Sequence, residues 1–199
     1  MPPGRSEAYD TPETTHQHSK DTTLNEHTDI DGRFAQGWGG LAPNGVHVNV
    51  LLARRGTRTA ASITTAFTSP RPGFTPVLAS IGADQPSYVT VNPPTVILSK
   101  TEATKGIHET VTFGAAGVGI SQGVLDAVAE DLLVADQESI VFVSLWIDPA
   151  AENETAVKDA ARAATSAAVR EAVLGRPAEA RQALVNDRDT LRHPFYNGD

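Results

Sequence analysis

The segment Gly45-Val-His-Val-Asn-Val-Leu-Leu-Ala53 constrains this chain most. Val46, Val48, Val50 and Leu52 alternate with His47, Asn49 and Leu51, a period of two that only an extended strand turns into two different faces. The β-branched valines favour a strand and ask for a packed partner on their side. His47 and Asn49 then project together from the opposite side. Such a strand can carry a site. A hydrogen-bonded histidine on a strand is the plainer alternative, and this stretch alone does not choose between them.

The rest of the chain reads as an α/β domain. Residues 1–31 are polar, with almost no apolar side chain, and predict a disordered tail before a domain over 32–199. His16, His18 and His27 lie in that tail and read as solvated; no metal site is expected. Phe34 and Trp38 sit in a Gly-rich stretch that can form a short strand and turn. Thr57 or Thr59 can cap a helix over Thr57–Phe67, where Ala60, Ile63 and Phe67 share one face. Strand 74–81 follows, completing a βαβ pattern. Gly82–Pro94 reads as a loop and Thr95–Lys100 as a strand. After an ambiguous stretch with a solvated His108-Glu109 pair, Phe113–Gly123 reads as a Gly-rich turn opening a helix to about Val134. Ser139–Ile147 is almost continuously apolar and predicts a strand buried on both faces. A long helix from Asn153 to Leu174 carries Ala161, Ala164, Ala168 and Ala172 on a small-residue face suited to close packing, with Gly175 and Pro177 as its stop. A short helix is expected near 177–185.

Composition removes several classes of function. Net charge is −8, against the basic surface that nucleic acid needs. There is no cysteine, hence no thiolate nucleophile, disulfide or cysteine metal site. No apolar run approaches a membrane span of roughly 18 residues. The start of the chain lacks a signal pattern, so the expectation is a soluble cytoplasmic protein. Gly114, Gly117, Gly119 and Gly123 match neither nucleotide-binding glycine pattern, and a tight turn with close helix packing explains them better.

Several motifs occur together in a fixed order. They are Gly45–Gly56 (Gly-Val-His-Val-Asn-Val-Leu-Leu-Ala-Arg-Arg-Gly), Thr65-Ala66-Phe67, Gly73-Phe74-Thr75, Pro94-Thr95 with Lys100, Phe113-Gly114, Asp126-Ala-Val-Ala-Glu130, Ala135-Asp136 and His193-Pro194-Phe195. Over about Phe34–Phe195 this chain resembles the formaldehyde-activating enzyme family. The resemblance implies a two-layer α/β sandwich similar to the second domain of ribosomal protein S5. It implies condensation of formaldehyde with the reduced pterin tetrahydromethanopterin, used as co-substrate, with loss of water and no tightly bound cofactor. It further implies a homo-oligomer, a ring-shaped pentamer with sites near subunit contacts. The family's catalytic histidine falls on His47. Its substrate-contacting positions fall on Asn49, Leu78, Lys100, Glu102 and Gly117. Three of these depart from the family: aspartate is usual at Asn49, a hydroxyl residue at Glu102 and glutamine at Gly117. A changed contact set implies a changed amine partner. A relative that binds a pterin or an aldehyde adduct without turnover is the alternative.

Overall fold

The computed structural model describes residues 29–69, 76–100 and 106–193. Strands β1 (Phe34–Gly39) and β2 (Val46–Arg54) form a hairpin. Helix α1 (Arg58–Thr68) leads to the two-residue strands β3 (Val77–Leu78), β4 (Ser80–Ile81) and β5 (Val89–Thr90), then to β6 (Thr95–Ser99). The short helix α2 (Ile107–Glu109) runs through a π-helical turn (Thr110–Ala115) into α3 (Ala116–Ala129). Strand β7 (Ser139–Ile147), α4 (Glu154–Leu174) and α5 (Ala178–Asn186) follow. The main sheet has the order β1-β2-β7-β6-β3, and β4 pairs with β5 apart from it. Only β6 and β7 are parallel; the other neighbours are antiparallel. This is a mixed α/β fold in which α3 and α4 form one layer and the sheet the other.

The core lies between those layers. Val46, Val48, Val50 and Leu52 of β2 and Val141, Val143, Leu145 and Ile147 of β7 are buried against Ile120 and Val124 of α3 and Val157, Ala161, Ala164 and Ala168 of α4. Small residues set the spacing. A Cβ on Gly37 would stand 1.9 Å from the Ala164 carbonyl oxygen, and one on Gly39 2.0 Å from that of Ala160. On the other flank of α4, a Cβ on Gly119 would stand 2.2 Å from the Lys158 carbonyl oxygen. The obstructing atoms are backbone, so no rotamer change relieves them. Two ion pairs clasp the helices from outside: Arg162 grips Asp126 through two bonds of 2.6 and 2.7 Å, and Arg170 meets Glu130. The Asp-Ala-Val-Ala-Glu motif is thus a helix–helix fastening. The Arg162 guanidinium holds the Asp126 carboxyl below its ordinary range.

Several expectations change. The Gly-rich segment is helix throughout, because Gly119 and Gly123 abut α4 rather than making a turn. From Ile107 to Ala129 the helix is long and apolar enough to cross a membrane by length and composition. Its Val111, Ala116, Ile120 and Val124 are core residues, which accounts for that apolarity. His108 is half-buried, its Nε2 bonded to the Pro149 carbonyl, rather than solvated. The strand expected over 74–81 splits at Ala79, whose N–H bonds to Thr95 of the main sheet while its carbonyl accepts from Val91. Residues 70–75, with Gly73-Phe74-Thr75, lie outside the described residues, as do Pro194-Phe195. Strand β7 is buried on one face only; its other face is half-buried. The boundary at residue 31 also moves. Ile30 is a core residue, and the Asp31 carboxylate accepts from Arg54 N–H and from the Thr57 and Thr59 hydroxyls at 2.8–3.0 Å. The bond from the Arg54 N–H, foremost, holds this carboxyl below its ordinary 3.8. Thr57 is the cap of α1, its Oγ1 accepting from Ala60 N–H.

The glycine contacts yield a contrast. Gly37→Ala should lower unfolding free energy by roughly 1–3 kcal/mol, the usual cost of overpacking. Gly117→Ala, where a Cβ meets nothing within 4 Å, should raise it by up to about 1 kcal/mol through helix propensity. Denaturant unfolding of both variants checks the pair; equal effects would refute the packing account.

Candidate active site

The sheet face away from α3 and α4 is covered only in part. Helix α1 packs Ala60 and Ile63 over Ala53, Leu51, Ile140, Phe142 and Val96 at one end. Beyond that end the described residues leave the face open. Strand register then arranges its side chains in cross-strand rows, since alternate residues share a face and paired residues stand side by side. The row farthest from α1 reads Trp38, His47, Trp146, with Lys100 one residue past Ser99 on β6. The next reads Gln36, Asn49, Ser144, Leu98. The third contains Phe34, Leu51, Phe142, Val96 and, at the far edge, Leu78.

His47 is the centre of this arrangement. Its Nε2 lies 3.1 Å from Gln36 Oε1, and its Nδ1 lies 2.8 Å from Lys100 Nζ. The partners assign the tautomer. An amide oxygen can only accept and an ammonium can only donate. The neutral ring therefore carries its proton on Nε2, directed at Gln36, and offers the Nδ1 lone pair to Lys100. Trp38 flanks the imidazole with ring centroids 5.7 Å apart, and the Trp38 and Trp146 rings are 5.5 Å apart. Partial burial disfavours charge on the ring, and the Lys100 cation disfavours it further; both push the His47 pKa below 6.5. Burial likewise lowers that of Lys100 from 10.5. Gln36 and Asn49 also line an open cleft of about 820 Å³ that continues over the β1 edge to Arg33, Glu171 and Arg176 near the end of α4. That volume is in the range of small-molecule clefts.

The structure brings His47, Lys100 and Asn49 together on one face. Leu78 shares the face two rows away and is 45% exposed. Gly117 is elsewhere, on α3 in the helical layer behind the sheet, with helical backbone and open space around it. Glu102 lies outside the described residues. Sequence reading missed Gln36, Trp38 and Trp146 as neighbours of His47. The signal existed only in pairing: Trp38 and Trp146 lie directly opposite His47 on the two flanking strands.

Comparison with known proteins bears on this geometry. A family model described as formaldehyde-activating enzyme matches residues 39–196, most of the chain. The chain belongs to the formaldehyde-activating enzyme family. The stretch that places it there includes β2 with His47, β6 with Lys100 beyond it, and β7. Among relatives is the 5,6,7,8-tetrahydromethanopterin hydro-lyase of Methanosarcina barkeri, 29% identical over 158 residues, which are 78% of this chain and 85% of that protein. A bifunctional enzyme Fae/Hps of Archaeoglobus fulgidus is 27% identical over 152 residues, 75% of this chain. Another, from Methanosphaera stadtmanae, is 25% identical over 158 residues, 78% of this chain. The chain spans 37% of the length of each bifunctional protein.

The electrostatic reading is directly measurable. In an NMR titration the His47 ring protons should shift with a midpoint below 6.5. Lys100→Gln should raise that midpoint by removing the neighbouring cation. It should not carry it past the ordinary value, because desolvation, the larger cause, persists. A midpoint unmoved by the substitution would contradict the contact.

Proposed function

We propose that this chain condenses formaldehyde with a reduced pterin, or a related amine, to a methylene adduct with loss of water, with His47 as the general acid. The observation that carries the reading is the two-sided hydrogen bonding of His47, to Gln36 and Lys100, on an open face of a chain of this family. Formaldehyde adds to one substrate nitrogen to give a hydroxymethylamine. Expelling hydroxide from it requires a proton, and the His47 Nε2–H is the group positioned to give one. Gln36 holds that N–H in direction until substrate replaces it. As that proton leaves, the Lys100 ammonium, already bonded to Nδ1, passes one of its own protons to Nδ1, so the ring stays neutral and Lys100 ends as the neutral amine. A second substrate nitrogen then captures the iminium. General acid catalysis of this sort is worth roughly 10²–10⁴-fold, and holding amine and aldehyde together supplies more.

In this reading Asn49 and Lys100 contact polar groups of the amine, and Leu78 walls the pocket. Glu102 and Gly117 complete the contact set. Gly117 faces away from His47 within one chain, so its place in a site calls for a second copy. We therefore propose a homo-oligomer, a pentamer as the family resemblance implies, and the exposed Trp38, Leu41 and Phe34 are apolar surface suited to such a contact. Light scattering at micromolar concentration should give a mass several times that of the 21.0 kDa chain; a monomer would refute it.

The function is tested by following formaldehyde consumption with tetrahydromethanopterin, tetrahydrofolate and simple diamines in parallel. At least one amine should react faster than without protein, and His47→Ala should lower that gain by about 10²-fold or more with the fold intact. With Asn49, Glu102 and Gly117 departing from the family, the best amine should differ from tetrahydromethanopterin. Saturable amine binding with no acceleration would instead identify a non-catalytic binder.

A further inference from the structure

The Lys100 amine has an unusual setting. Nζ sits 2.8 Å from an imidazole nitrogen that carries a lone pair. Among the described residues no ion pair to a carboxylate holds it. Lys158, by comparison, meets Asp159 at 3.1 Å on the surface. Lys100 is half-buried, at the end of the row Trp38, His47, Trp146. A lysine amine acts as a nucleophile once it is relieved of its proton, and desolvation beside another basic group is how proteins arrange that. Burial already shifts its titration towards the neutral amine.

We propose that Lys100 is itself a nucleophile, carrying the formaldehyde carbon as a covalent iminium before it passes to the amine substrate. The proposal rests on the formaldehyde reading above. The Lys100 ammonium first gives a proton to His47 Nδ1, leaving a neutral amine beside an imidazolium. The nitrogen lone pair attacks the aldehyde carbon while the C=O π pair moves to oxygen; transfer of one nitrogen proton to that oxygen gives Lys100–NH–CH2–OH. The imidazolium then protonates the hydroxyl, the C–O bond breaks, water leaves, and Lys100–NH⁺=CH2 remains with neutral His47. The first substrate nitrogen adds to this carbon. The second displaces the lysine nitrogen, and the two protons that the substrate nitrogens lose restore the ammonium. The sum is formaldehyde plus two N–H groups giving N–CH2–N and water. No oxidant, reductant or metal enters the balance. His47 serves as base and then acid at one atom, Nδ1, and its Nε2–H remains the proton donor available to bound substrate.

The iminium can be trapped without any amine substrate. The full-length protein is treated with limiting formaldehyde and cyanoborohydride near neutral pH, and methylation is mapped by peptide mass spectrometry. The chain has four lysines, Lys20, Lys100, Lys105 and Lys158. Lys100 should be methylated at least about tenfold faster than Lys158, the low side of what a positioned base supplies, because His47 Nδ1 stands 2.8 Å from its nitrogen to take the proton, and His47→Gln should remove that advantage. Lys100→Arg keeps a cation and a donor but has no amine to trap, so condensation with the best amine should fall towards the uncatalysed rate. Labelling of Lys100 no faster than Lys158 in the wild type, or Lys100→Arg retaining most of the rate, would overturn the proposal. The two readings separate cleanly. Condensation without selective labelling removes the covalent step alone, whereas selective labelling without condensation supports Lys100 as the aldehyde-capturing residue and removes the overall reaction.

Discussion

The close approach of α4 to both of its neighbours governs this molecule. Gly37 and Gly39 let β1 lie against the carbonyls of Ala164 and Ala160, and Gly119 lets α3 lie against that of Lys158. A long helix with an alanine face thus fills the space between a strand and a second helix without large side chains. Interiors pack densely, so a contact made through backbone atoms leaves little room to slide. The whole helical layer therefore gathers on one side of the sheet. Among the described residues the other side receives α1 alone, and they leave a face of β-strands carrying mixed side chains open.

That division of labour explains the chemistry. On β2, Val46, Val48 and Val50 anchor the strand in the core while His47 and Asn49 stand on the open face. The neighbouring strands, pinned by the same core, bring Gln36, Trp38 and Trp146 alongside, and β6 delivers Lys100. The imidazole is consequently held at both nitrogens by side chains from different strands. Its tautomer, orientation and reluctance to take a second proton are properties of the sheet register rather than of a mobile loop.

Much of this was legible in the sequence. The period of two in residues 46–52 assigned both faces of β2 correctly. Asn153 and Gly175 bounded α4, and its alanine face is where close packing occurs. The misreadings share a cause. Glycine weakens both helix and strand locally, so Gly114–Gly123 resembles a turn until the partner helix that requires the small residues is known. Continuous apolarity in β7 could not reveal that α1 covers only half of its outer face. Ile30 and Asp31 looked like the end of a polar arm because one apolar residue makes no pattern. Above all, a histidine's partners are set by pairing between strands far apart in the chain. His47 and Lys100 are 53 residues apart, and no local signal joins them.

Asn49 occupies the open face, and the Cβ position of Gly117 meets nothing. Neither position belongs to the buried core that keeps the chain folded. Their residues can be exchanged at small thermodynamic cost, while at Gly37, Gly39 and Gly119 an added Cβ meets backbone oxygen at 1.9–2.2 Å. A scaffold partitioned in this way can vary by drift at positions outside its tight contacts: the demands of stability and those of surface chemistry fall on different residues, and neither has to wait for the other to compensate.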